Sequence, residues 1–82
     1  MGYCFITFRS VTPAQRGENV LKRAGISCSL QRTPRWMEEQ GCGYSLRIRQ
    51  RDASAAGELL RAQMVSFQKV YVQRENGMLE AL

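Results

Sequence analysis

The chain has 82 residues, enough for one domain with a single modest core that buries about two-thirds of the surface exposed on unfolding. Hydrophobic residues make up 44% and charged residues 23%; this is the balance of a folded chain, and no apolar run approaches the ~20 residues of a bilayer span. Twelve Lys plus Arg against seven Asp plus Glu leave a charge of +5, and the absence of histidine removes the commonest general base and metal ligand, which counts against most hydrolase mechanisms.

Lys22 and Lys69 are the only lysines, so ten of the twelve cations are Arg. Their spread along the chain reads as a basic surface more readily than as a dedicated polyanion site. The N-terminus, Met1-Gly2-Tyr3-Cys4-Phe5-Ile6-Thr7-Phe8-Arg9, has no basic leader region, and a cytoplasmic location is expected.

Tyr3 to Phe8 is aromatic and β-branched on both faces, as a central strand requires. Thr12-Pro13-Ala14-Gln15 predicts a helix start, with Thr12 as cap and Pro13 as first helical residue. Ala14, Gly17, Val20, Leu21 and Ala24 then form the inward stripe up to a stop at Gly25. Ile26, Cys28 and Leu30 alternate with Ser27, Ser29 and Gln31, the period of a half-buried edge strand. From Thr33 to Gly43 the pattern breaks into the one long connection. A third strand, Tyr44 to Arg49, follows. Asp52 caps a second helix with Ala56, Leu59, Leu60, Gln63 and Met64 inward, and Phe67 to Val72 is the last strand.

The order β-α-β-β-α-β predicts an α+β, two-layer ferredoxin-like sandwich. Its four-stranded antiparallel sheet would have strands one and three central and both helices on one face. Residues 1–72 form the expected domain and 73–82 a C-terminal tail.

Three cysteines without His or a Cys-x-x-Cys pair fit neither a metal site nor a disulfide framework, and no cofactor is expected. Cys4 and Cys28 read as small strand hydrophobes. Cys42 differs: it sits between Gly41 and Gly43 in the irregular loop, where Arg35 and Arg32 would lower a thiol pKa and Glu38 and Glu39 would raise it.

The strand Tyr3-Cys4-Phe5-Ile6-Thr7-Phe8, the helix end Leu21-Lys22-Arg23-Ala24-Gly25-Ile26, the tripeptide Thr33-Pro34-Arg35 and the pair Cys42-Gly43 resemble the selenium/sulfur carrier family of small bacterial domains. The similarity runs from about Tyr3 to Arg49. The resemblance implies a non-enzymatic carrier holding a persulfide or perselenide on Cys42 and passing it between donor and acceptor proteins of sulfur or selenium trafficking. Arg35, Gly41, Gly43 and Thr33 would support the thiolate. Family members commonly have small hydroxyl residues before the cysteine, where this chain has Glu38-Glu39-Gln40-Gly41.

Two other readings compete. The sheet face left bare by the helices would suit a non-catalytic interaction module or a homodimer. An RNA-recognition motif shares the element order, and Tyr3 or Phe5 can stack a base, but Leu46 and Arg49 stand where that motif needs aromatics, so nucleic acid is not the expected partner.

Overall fold

The computed structural model describes residues 2–33, 43–73 and 79–81. Strand β1 (Tyr3–Phe8) is followed by helix α1 (Val11–Arg23), strands β2 (Cys28–Arg32) and β3 (Tyr44–Arg49), helix α2 (Ala53–Ala62), and strands β4 (Val70–Gln73) and β5 (Leu79–Ala81). The antiparallel sheet runs β2-β3-β1-β4-β5. Its first four strands with the two helices are the expected ferredoxin-like α+β fold, and β5 adds a short fifth strand, Tyr71 pairing with Ala81.

The centre of the sheet is the pairing of β1 with β3, in register from Tyr3 opposite Arg49 to Phe8 opposite Tyr44. Alternation sends Cys4, Ile6 and Phe8 of β1 and Leu46 and Ile48 of β3 to the helix side. There they form one core with Ala14, Leu21, Ala56, Leu60, Val65 and Val72. Each buried Leu, Ile or Phe contributes roughly 1.5–3 kcal/mol before entropy is counted. The opposite face carries Tyr3, Phe5, Thr7, Ser45, Arg47 and Arg49, and β2 lies at its edge with Ser29 opposite Arg47 and Gln31 opposite Ser45.

Several local expectations are corrected. Helix α1 begins at Val11 with Ser10, not Thr12, at the cap, so Pro13 sits third in the first turn, where its missing N–H has no intrahelical partner to lose. Ala24 is exposed, and the helix closes as predicted at Gly25, φ 82°. The Gly25 N–H donates to the Lys22 carbonyl (3.0 Å) and the Ile26 N–H to that of Leu21 (2.9 Å), the paired bonds of a Schellman motif. The second strand starts at Cys28 rather than Ile26, which packs beside the core instead.

Asp52 holds the N-cap position of α2 as expected, at the end of a 3₁₀ turn, Gln50–Asp52, but makes no side-chain cap bond. Helix α2 ends at Ala62, so Gln63 and Met64 are not on its inward stripe. Met64 adopts a left-handed φ of 57° and is 84% exposed. Its N–H reaches the Arg61 carbonyl (3.1 Å), while the Val65 N–H reaches that of Leu60 (2.8 Å). The same closure that Gly25 makes at no steric cost is here made by a methionine, and Val65 enters the core in its place. The last strand proper begins at Val70; before it, the Gln68 and Lys69 backbone docks on Thr7.

Gly17 is where the layers meet most closely. A Cβ there would lie 3.1 Å from Phe8 Cζ and 3.3 Å from both Leu46 Cδ1 and Leu60 Cδ2. Gly17→Ala should therefore lower stability by about 1–2 kcal/mol despite alanine's helix propensity. Met64→Gly should raise it by about 0.5–1 kcal/mol by relieving the left-handed residue. Urea midpoints of the two variants should move in opposite directions, and a stabilised Gly17→Ala would show that the contact has slack.

Candidate functional site

Of the residues expected to form a site, Arg35, Gly41 and Cys42 lie outside the described residues, as do Glu38 and Glu39. Thr33 and Gly43 are described and come together. The β2–β3 ladder ends with Arg32 opposite Tyr44, and beyond it the Thr33 N–H donates to the Gly43 carbonyl at 3.1 Å. These two residues close the root of the 34–42 connection. A Cβ on Gly43 would meet the Arg9 carbonyl at 3.9 Å, so the end of β1 flanks the root on its other side. Cys42 immediately precedes Gly43 in the chain and is thus covalently attached to this root.

The root has an unusual polar lining. Ser45 lies in register between Thr7 on β1 and Gln31 on β2, on the face away from the helices. Thr33 continues the alternation that puts Ser29 and Gln31 on that face, diagonal to Ser45. Thr7, Ser45 and Thr33 are all buried, Thr33 at 6% exposure and the other two at 0%. The Thr7 hydroxyl is satisfied, accepting the Lys69 N–H at 3.0 Å. The hydroxyls of Thr33 and Ser45 have no hydrogen-bond partner among the described residues. A buried hydroxyl left unpaired costs about 1–3 kcal/mol, so two such groups converging on one loop root call for an explanation beyond folding.

Arg9 and Arg32 are exposed at this end of the sheet, and the Arg32 guanidinium lies 5.6 Å from the Tyr44 ring centre. Arg9, Thr7 and Ser45 were not singled out by sequence reasoning. The pairing of Phe8 with Tyr44 is what brings them to the root, and only the alternation of β1 and β3 hinted that Thr7 and Ser45 share a face.

The other two thiols are in poor positions for chemistry. Cys4 is fully buried in the core, and burial pushes its pKa up to about 11. Cys28 is half-buried; its pKa is also raised, first by burial and then by Glu18, with Lys22 opposing. Its sulfur sits 3.8 Å from the Glu18 carbonyl. Both are free thiols, and both lie in register with Ile48, four positions along β3 from Tyr44 and far along the ladder from the loop root. Among the described residues no cluster of three His, Cys, Asp or Glu could hold a metal ion, and no helix is long and apolar enough to cross a membrane.

If the Ser45 hydroxyl lacks a partner in the resting protein, Ser45→Ala removes a desolvated group and loses no hydrogen bond. Its stability should match the parent or exceed it by about 1 kcal/mol. A urea midpoint that falls clearly would mean that the hydroxyl is already engaged.

No curated protein and no solved structure matches this chain. A family model does, over residues 3–72, the span from the first residue of β1 to the third position of β4. On that match the chain belongs to the family described as "Putative Se/S carrier protein-like".

Proposed function

We propose that this protein is a non-enzymatic carrier that holds a persulfide or perselenide on Cys42 and passes it between partner proteins. The observation that carries the reading is the pair of unpartnered buried hydroxyls, Thr33 and Ser45, at the root to which Cys42 is tethered, in a chain whose family is described as a selenium/sulfur carrier.

The transfer needs little machinery. The Cys42 thiolate attacks the terminal chalcogen of a donor persulfide or perselenide. The donor's S–S or S–Se bond breaks with its electron pair leaving on the donor thiolate. A new bond to the Cys42 sulfur forms, and the terminal proton stays with the transferred atom. An acceptor nucleophile repeats the step with Cys42 as leaving group, so no net oxidant or reductant is consumed and no general base is required. What the carrier must supply is a thiolate, stabilisation of the anion, and access for two partners.

Hydroxyl donors from Thr33 and Ser45 would stabilise the anion from the sheet side, and Arg35 from the loop side. Gly41 and Gly43 would let a partner's backbone approach the sulfur. The family's small hydroxyls before the cysteine are replaced here by Glu38-Glu39-Gln40, and the sheet hydroxyls offer the same donors from another direction. The raised thiols of Cys4 and Cys28 support the assignment by disfavouring the alternatives. Such chemistry fits the reducing cytoplasm, where thiols remain free.

Incubation with a persulfide- or perselenide-charged donor enzyme, followed by intact mass and peptide mapping, tests this directly. One added sulfur or selenium should appear on Cys42, and Cys42→Ala should lose loading completely with an unchanged urea midpoint. A Cys42→Ala protein that still carried the label would refute the assignment.

A further inference from the structure

The helix-free face of the sheet, at the end away from the loop root, has a composition that chalcogen transfer does not use. In register across it stand Ser29 of β2, Arg47 of β3, Phe5 of β1 and Tyr71 of β4. The next row pairs Tyr3 with Arg49. Arg47 lies over the Tyr3 ring, 4.7 Å from its centre, and Tyr3 is 44% exposed. Two adjoining surface hollows share Tyr3 and Arg49; one extends to Ser27 and Ser29, the other to Gln50 and Arg51.

Among the described residues the charge on this surface is one-sided. Arg47, Arg49 and Arg51 are exposed, and Arg49 and Arg51 make no ion pair among the described residues, where the one salt bridge is Lys22 to Glu18 on α1. The acidic residues whose side chains are described, Glu18, Asp52 and Glu58, belong to the helices and to the turn before α2. Positive charge interleaved with aromatic rings on one sheet face, Tyr3 exposed and Phe5 and Tyr71 half-buried, suits a polyanion that also carries stackable planar groups.

We infer that this face binds single-stranded nucleic acid, with Tyr3, Phe5 and Tyr71 as the stacking platform and Arg47, Arg49 and Arg51 contacting the phosphates. Leu46, whose lack of a ring counts against an RNA-recognition motif, is buried on the helix side and has no bearing on this surface. The aromatics come instead from β1 and β4, and β3 supplies arginines. Three strands of width accommodate about two or three bases. The surface is independent of the chalcogen reading: it lies beyond the Thr7–Ser45 row and includes none of the loop.

The test is fluorescence anisotropy of the full chain with labelled mixed-sequence strands of about eight nucleotides, as RNA and as DNA, at several salt concentrations, with the corresponding duplexes alongside. Single strands should bind at low salt, with a log–log salt slope of about −2 for three neutralised phosphates. The double variant Arg49→Gln/Arg51→Gln should cut the slope to about −0.7. Tyr3→Leu, which keeps apolar bulk but removes the ring, should weaken binding roughly tenfold with the slope unchanged. Cys42→Ala should bind like the parent, separating this surface from the carrier reading. RNA and DNA strands both losing affinity on these variants supports the inference; a preference for RNA adds that a 2′-hydroxyl is read. No binding at low salt overturns it, as does equal binding of duplex and single strand that ignores Tyr3→Leu. Unchanged urea midpoints in the variants ensure that lost binding is not lost folding.

Discussion

The contact on which the architecture depends is the close seating of α1 on the two central strands at Gly17, where a Cβ would fall 3.1–3.3 Å from Phe8, Leu46 and Leu60. Phe8 belongs to β1, Leu46 to β3 and Leu60 to α2, so a residue without a side chain is the point at which both helices and both central strands converge. That convergence requires β1 and β3 to be neighbours with the register seen here, Ile6 opposite Leu46 and Phe8 opposite Tyr44. Since side-chain direction has a period of two, a slip of one residue would turn Leu46 and Ile48 outward and put Ser45 and Arg47 into the core. The hydrophobic pattern therefore fixes the register, and the register fixes everything displayed on the other face.

What that other face displays differs along its length. Near the loop root the side chains are short hydroxyls, buried, with two of them unpaired; towards the opposite end they are aromatic and arginine, with Tyr3, Arg47 and Arg49 exposed and Phe5 and Tyr71 half-buried. A sheet buried on one side only commonly has a solvated second face, but a merely solvated face gives no reason to bury unpaired hydroxyls. The gradient divides the surface into a small polar nook beside Gly43 and a broad cationic platform around Tyr3, and the two lie at opposite ends of the same central strands.

The strand and helix order was legible because periodicity changes sharply at each boundary, and β3 from Tyr44 to Arg49 emerges with both ends as read. Helix ends were less legible. Thr12 and Asp52 have the chemistry of caps; Asp52 does take the cap position of α2, though without a side-chain cap bond, whereas Ser10 takes that of α1, since Ser10 and Thr12 compete for the role and tertiary packing selects between them. In sequence Met64 continues the α2 stripe, yet it faces outward because a left-handed closure there places Val65 in the core. For the site, sequence singled out Thr33 and Gly43, which do pair, but not Ser45, Thr7 or Arg9. These become neighbours only through pairings between segments distant in the chain, and no local pattern encodes them.

The central claim is that of the three thiols Cys42 alone is available as a thiolate, the other two being held neutral by burial. The most direct test is the alkylation rate of the native protein against pH, read by mass spectrometry at each cysteine separately. The account predicts rapid modification of Cys42 at neutral pH, with an apparent pKa at or below the ~8.5 of a free thiol, while Cys28 lags and Cys4 resists until the pH approaches about 11. Modification of Cys4 or Cys28 as fast as Cys42 across the neutral range would contradict it.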